Sequence, residues 1–98
     1  MTDNSRIACK AIVNYYGVEH QKEKLIEEMA ELMVAIKHGD SSNYVEELAD
    51  VSILLTQLIN SLPANDYVNF LKTQEEKVKR QLGRIAVERD DYEETKGE

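Results

Sequence analysis

The chain has one cysteine, one proline, one phenylalanine and no tryptophan, and each scarcity removes a class of architecture. Cys9 by itself can form no internal disulfide, so a stapled secreted scaffold is excluded. No apolar run is long enough to span a bilayer or to resemble a signal peptide, and the expected setting is reducing and cytoplasmic. One proline and four glycines leave few breakers, which suits helices better than a β-rich or disordered chain. Basic residues are also short: 12 Lys and Arg face 19 Asp and Glu, a formal net charge of −7. Nucleic acid and anionic membranes, which are bound by an excess of Lys and Arg, are therefore not expected partners. Phosphates stay within reach of such a protein where metal ions intervene. At 98 residues the length suffices for one domain, and a domain so small leaves much of its surface open unless it associates with another copy.

What is present is helical periodicity. Ile7, Ala8, Ala11, Ile12 and Tyr15 recur at three and four residues and predict a first helix over 5–16. Thr2, Asp3, Asn4 or Ser5 can cap it, and Gly17 ends it in the left-handed conformation. Cys9 is expected to pack there as a small hydrophobe. A second helix is predicted over 19–37 with an apolar stripe of Leu25, Met29, Leu32 and Ile36, closed by a left-handed Gly39. His20 and His38 are lone histidines near its ends. A third helix, 44–61, carries Tyr44, Leu48, Val51, Leu54, Leu55, Leu58, Ile59 and Leu62, with Asn43 and Glu46 as a loose capping box and Pro63 as its stop. The short connection makes helices two and three antiparallel. A fourth, 67–87, capped by Asn65 or Asp66, buries Val68, Leu71, Val78, Leu82 and Ile85 and displays Lys72, Lys77, Lys79, Arg80 and Arg84. That basic run either pairs with Glu75 and Glu76 on a solvated face or meets phosphate. The expectation is a single all-α domain over 1–88 and a charged, disordered tail over 89–98.

The chemistry concentrates between Glu27 and Asp50. Glu28 and Glu31 share one helix face, as do Glu47 and Asp50 on the next helix. Glu28 lies at the edge of an apolar stripe and Glu47 inside one, while Glu27 and Glu46 look outward. An ionised carboxylate in apolar surroundings is too costly to leave unpaired. Two such pairs converging across a helix hairpin therefore ask for a cation. Oxygen donors without Cys or paired His suit a hard ion, Mg²⁺ or Mn²⁺, rather than zinc or copper. Mg²⁺ commonly completes its shell with substrate phosphates, so phosphate chemistry is the natural inference.

The segment from Lys24 through Glu27-Glu28-Met29-Ala30-Glu31-Leu32, followed by Glu47-Leu48-Ala49-Asp50-Val51, resembles the Glu-Glu-x-x-Glu and Glu-x-x-Asp signature of MazG-like nucleoside triphosphate pyrophosphohydrolases of the all-α NTP pyrophosphatase superfamily. Tyr16-Gly17-Val18-Glu19-His20-Gln21 also looks like short members of that group, so the similarity covers about residues 15–60. The resemblance implies a helical bundle formed by dimerisation or tetramerisation, with a nucleoside triphosphate as substrate. It further implies a Mg²⁺-dependent cleavage to the monophosphate and pyrophosphate. Position by position, Glu28, Glu31, Glu47 and Asp50 match the metal ligands, and Glu27 the remaining acidic position. Glu27 or Glu31 is the candidate to orient or deprotonate the attacking water. Lys72, Lys77, Arg80 and Arg84 are candidates for contacting outgoing pyrophosphate, from the same or a second subunit. Tyr15 and Tyr16 either flank a base or serve packing. The competing reading is a non-catalytic helical dimerisation or regulatory module in which the same carboxylates hold a structural divalent cation.

Overall fold

A computed structural model describes the backbone of residues 1–97 and the side chains of residues 1–91. Four helices account for nearly all of it: α1 (Asp3–Tyr16), α2 (Val18–His38), α3 (Ser41–Asn60) and α4 (Ala64–Gly97). There is no strand among the described residues, and no helix there is long and apolar enough to cross a membrane. The chain divides after Leu62 into a unit built from α1–α3 and a second unit that begins at Pro63.

Within the first unit, local chemistry sets each helix end. The Ser5 N–H donates to the Thr2 hydroxyl at 3.2 Å and starts α1. Gly17 both ends α1, donating its N–H to the Val13 carbonyl at 2.8 Å, and starts α2, accepting from the Gln21 N–H at 3.2 Å. Its φ of +90° and ψ of 152° lie beyond the expected left-handed helical region, in a region essentially open to glycine alone. Gly39 is different again: its φ of −83° is ordinary extended backbone. Glycine is needed there for space, because a Cβ would stand 2.9 Å from the Ala35 carbonyl oxygen and 2.8 Å from Asn43 Nδ2. Asp40, not Asn43, caps α3, its carboxylate accepting the Asn43 N–H at 2.8 Å. The helix consequently starts at Ser41, and only Gly39 and Asp40 separate α2 from α3.

So short a turn forces α2 and α3 antiparallel, and theirs is the most extensive helix contact of the unit. The covered positions of α2 are Gln21, Leu25, Glu28, Leu32 and Ala35; those of α3 and its C-cap include Glu47, Val51, Leu54, Leu58 and Ser61. Both series advance by four and three residues in alternation, the spacing of a coiled-coil seam. The seam departs from the expected stripes: Met29 and Ile36 on α2, Tyr44, Leu48 and Leu55 on α3, and Leu62 just beyond its end, are exposed. Glu28 and Ala35 take the places assigned to Met29 and Ile36, one position along. Helix α1 packs against both partners through Cys9 and Val13, while Ile7, Ala8, Ala11, Ile12 and Tyr15 stay exposed. Apolar residues occupy two sides of α1, and periodicity does not choose between them.

In the second unit, the Pro63 carbonyl accepts the Tyr67 N–H at 2.9 Å, so α4 begins before the expected Asn65 or Asp66 cap. Asp66 instead sits in the first turn, where a negative charge suits the helix dipole. Val68, Leu71, Val78, Leu82 and Ile85, expected to be buried, are exposed. Their periodicity reports a face that gains from being covered without saying what covers it. The helix continues past Val87 to Gly97. Most of the stretch assigned to a charged tail, 89–98, lies outside the residues whose side chains are described.

Two glycine substitutions should move stability in opposite directions. Gly39→Ala is expected to cost about 1–3 kcal/mol through steric conflict with the α2 backbone. Gly83→Ala, inside α4 with open space around the new methyl group, should gain roughly 0.5–1 kcal/mol from helix propensity. Urea unfolding of the two variants, read by circular dichroism, checks both signs.

Candidate metal centre

The seam places Glu28 of α2 opposite Glu47 and Asp50, which stand one turn apart on α3. Each of the three offers a carboxylate oxygen, and these oxygens lie within 4.8 Å of one another. Glu28 is 8% exposed, Glu47 half-buried and Asp50 exposed, so the cluster opens from the seam toward solvent. Glu28 Oε2 and Glu47 Oε2 are both buried and have no hydrogen-bond partner. A buried carboxylate oxygen left in that state is costly. Two converging from facing helices, beside a third donor, fit a hard divalent cation in an all-oxygen shell.

The surrounding charges follow from the same geometry. Burial first, then the negative charges of Glu31, Glu28 and Asp50, pushes the Glu47 carboxyl above its usual range. The Lys24 ammonium lies 3.4 Å from Glu28 Oε1 and 3.7 Å from Glu27 Oε2. Its hydrogen bond to Glu28 and the charges of Glu28 and Glu27 hold it above the ordinary lysine value. Glu28 thus turns one oxygen to Lys24 and keeps the other, unpaired, in the seam.

The expected site residues separate into groups. Glu28, Glu47 and Asp50 come together. Glu31 is exposed and stands outside that three-oxygen group, yet its charge is felt by Glu47. Glu27 is exposed and paired with Lys24. Lys72, Lys77, Arg80 and Arg84 are exposed on α4, in the second unit, where Lys79 makes the expected i,i+4 pair with Glu75 at 3.6 Å.

Sequence reasoning missed three neighbours of the cluster: Gln21, Lys24 and Gln57. Gln21 and Gln57 are only 4% and 2% exposed, and Gln21 Nε2 donates to Gln57 Oε1 at 2.7 Å across the seam. The recurrence of Gln21, Glu28 and Ala35 every seven residues was the available signal; attention to apolar residues alone passes over it. These glutamines, with Lys24, Glu28 and Asp50, line a cleft of about 220 Å³.

In protein stripped of divalent ions, the raised Glu47 carboxyl has a definite sign. The folded state binds its proton more tightly than the unfolded state, so this contribution is fully present below the ordinary value of 4.5 and is lost as pH rises through the raised folded value. Glu47→Gln should therefore raise the melting temperature of the stripped protein at neutral pH and flatten its decline above about pH 4.5. Thermal unfolding of both proteins in chelator from pH 4 to 8 reads the difference.

No curated protein and no solved structure matches this chain. Residues 17–84, which contain the α2–α3 hairpin with its carboxylate cluster, match the MazG nucleotide pyrophosphohydrolase domain. With more than two thirds of its length so matched and the acidic residues of the signature gathered on facing helices, the chain belongs to the MazG nucleotide pyrophosphohydrolase family.

Proposed function

We propose that the protein is a Mg²⁺-dependent nucleoside triphosphate pyrophosphohydrolase that converts an NTP or dNTP to the monophosphate and pyrophosphate. The observation that carries this reading is the pair of buried, unpartnered oxygens, Glu28 Oε2 and Glu47 Oε2, in the seam of the α2–α3 hairpin, which lies within the residues matched to the family. Glu28, Glu47 and Asp50 would hold Mg²⁺, or Mn²⁺ in its place, with Glu31 as the fourth carboxylate at the open side. When bound, the cation offsets the charge of the triphosphate and the charge that develops during phosphoryl transfer.

The chain's own groups supply the rest. Water adds to the α-phosphorus, the α–β anhydride bond breaks and pyrophosphate leaves. The water's proton passes to the Glu27 or Glu31 carboxylate, both of which are solvent-exposed and adjoin the cluster along α2. Lys24 pairs with both Glu27 and Glu28 and offsets part of their charge. Lys72, Lys77, Arg80 and Arg84 are the proposed contacts to the outgoing pyrophosphate, from the same chain or another copy. The exposed apolar residues Ile26, Met33, Val34 and Ile36 on α2, and Leu82 and Val87 on α4, support a homodimer or homotetramer, since a chain this small gains most from covering such surface.

With Mg²⁺ present, the purified protein should release pyrophosphate from at least one member of a panel of common and modified triphosphates. Glu47→Gln and Asp50→Asn should each lower the rate by at least about a hundredfold while leaving helicity intact. Metal binding with no turnover across the panel would overturn the assignment in favour of a structural cation site. Light scattering should give twice or four times the chain mass of 11.2 kDa; a monomer would remove the proposed assembly.

A further inference from the structure

Beside the carboxylate cleft lies a second, larger one of about 420 Å³, lined by Tyr16, His20, Gln21, Glu23, Lys24 and Glu27. Gln21 and Lys24 line both, so the two clefts adjoin along the first turns of α2. Their chemistries differ. One presents the clustered carboxylates and no aromatic ring; the other adds two aromatic rings to the charged side chains of Glu23, Lys24 and Glu27. The Tyr16 and His20 rings are stacked, with centroids 4.9 Å apart and planes inclined by 14°. A volume of this size falls in the range of small-molecule clefts, roughly 300–1,000 Å³.

The stack is held from below. Gln21 Nε2 donates to Gln57 Oε1, which leaves Gln21 Oε1 as the acceptor for His20 Nδ1–H at 2.7 Å. This assigns the His20 proton to Nδ1 and fixes its ring plane. A buried amide pair spanning α2 and α3 therefore orients an exposed aromatic surface. Tyr16 remains 52% exposed, whereas Tyr15 is 83% exposed and lines neither cleft. Of the two tyrosines singled out in the sequence, Tyr16 lines the cleft and Tyr15 packs edge-on against its ring, with centroids 4.9 Å apart.

We infer that the Tyr16–His20 stack is the nucleobase platform of the substrate site, with the triphosphate running past Lys24 to Glu28, Glu47 and Asp50. The inference rests on the proposed pyrophosphohydrolase reading and adds to it the direction in which the substrate lies: base toward the N-terminal end of α2, phosphates toward its middle. Stacking suits the chemistry, since every nucleobase has a flat π-face and two stacked rings offer a rigid plane at little entropic cost. Lys24 stands at the wall common to the two clefts, with its ammonium already directed at the acidic cluster. Gln21 and Gln57 act as positioning residues through His20.

Two probes separate the subsites: inorganic tripolyphosphate, which has no base, and α,β-methylene nucleoside triphosphates, which are not cleaved. Both are titrated with Mg²⁺ by calorimetry. Tyr16→Ala should weaken the best nucleotide analogue roughly tenfold to a hundredfold and leave tripolyphosphate unchanged, while Tyr16→Phe keeps wild-type affinity for both. Lys24→Met should weaken both probes alike. Mn²⁺ affinity in the absence of nucleotide, measured by electron paramagnetic resonance, should be the same in Tyr16→Ala as in wild type, which reports an intact metal site. Equal losses for both probes in Tyr16→Ala, or no loss for either, overturn the platform. If pyrophosphate is released by wild type but Tyr16→Ala binds the analogue normally, the platform alone falls. If wild type binds no analogue and cleaves no triphosphate, the enzymatic reading falls with it.

Discussion

Everything in the first three helices turns on how Glu28 and Glu47 share the seam between α2 and α3. Leucine-like residues at those two positions would make a better-packed hairpin, because a buried carboxylate oxygen without a partner works against folding. The chain instead places two such oxygens within reach of each other and of Asp50. Burial pushes the Glu47 carboxyl upward first, and the negative charges of Glu31, Glu28 and Asp50 then add to it. A divalent cation at this point would remove both penalties at once, so the least favourable feature of the hairpin is also the one that suits it to such an ion.

The rest of the unit holds that arrangement in register. A two-residue turn, with the Asn43 side chain and the Ala35 carbonyl both crowding the place where a Cβ on Gly39 would stand and Asp40 capping α3, leaves no slack between the helices. Farther from the turn, the Gln21–Gln57 hydrogen bond fixes the same register from the other side of the cluster. A shift of one residue would break that buried pair and turn Glu28 out of the seam. Val51 and Leu54 supply the apolar burial on α3 beside the acids, and Cys9 and Val13 bring α1 onto the hairpin. The site is thus built on regular helices and braced at both ends, which is where precise positioning of side chains is most easily achieved.

Much of this was legible beforehand, for identifiable reasons. Glycine and proline are few, so the helix ends stood out at Gly17, Gly39 and Pro63 within a few residues. The pairs Glu28–Glu31 and Glu47–Asp50 could be assigned to helix faces from spacing alone. The exact seam could not. An apolar stripe read by hydrophobicity favours Met29 and Ile36, but their places are taken by Glu28 and Ala35, whose burial follows from the partner helix rather than from their own polarity. Gln21 and Gln57 were invisible for the same reason: glutamine reads as a surface residue until another glutamine is placed opposite it.

The sequence by itself determined the helical class, the approximate limits of the helices and the presence of acidic pairs on consecutive helices, because these depend on neighbours three and four residues apart. Only the tertiary structure decided which carboxylates meet. It drew Glu28, Glu47 and Asp50 into one group, left Glu31 at its margin and Glu27 against Lys24, and set the Tyr16–His20 stack beside them. Those distinctions arise from rotation and register of one helix against another. That choice is made by side chains far apart in the chain, so no local pattern records it.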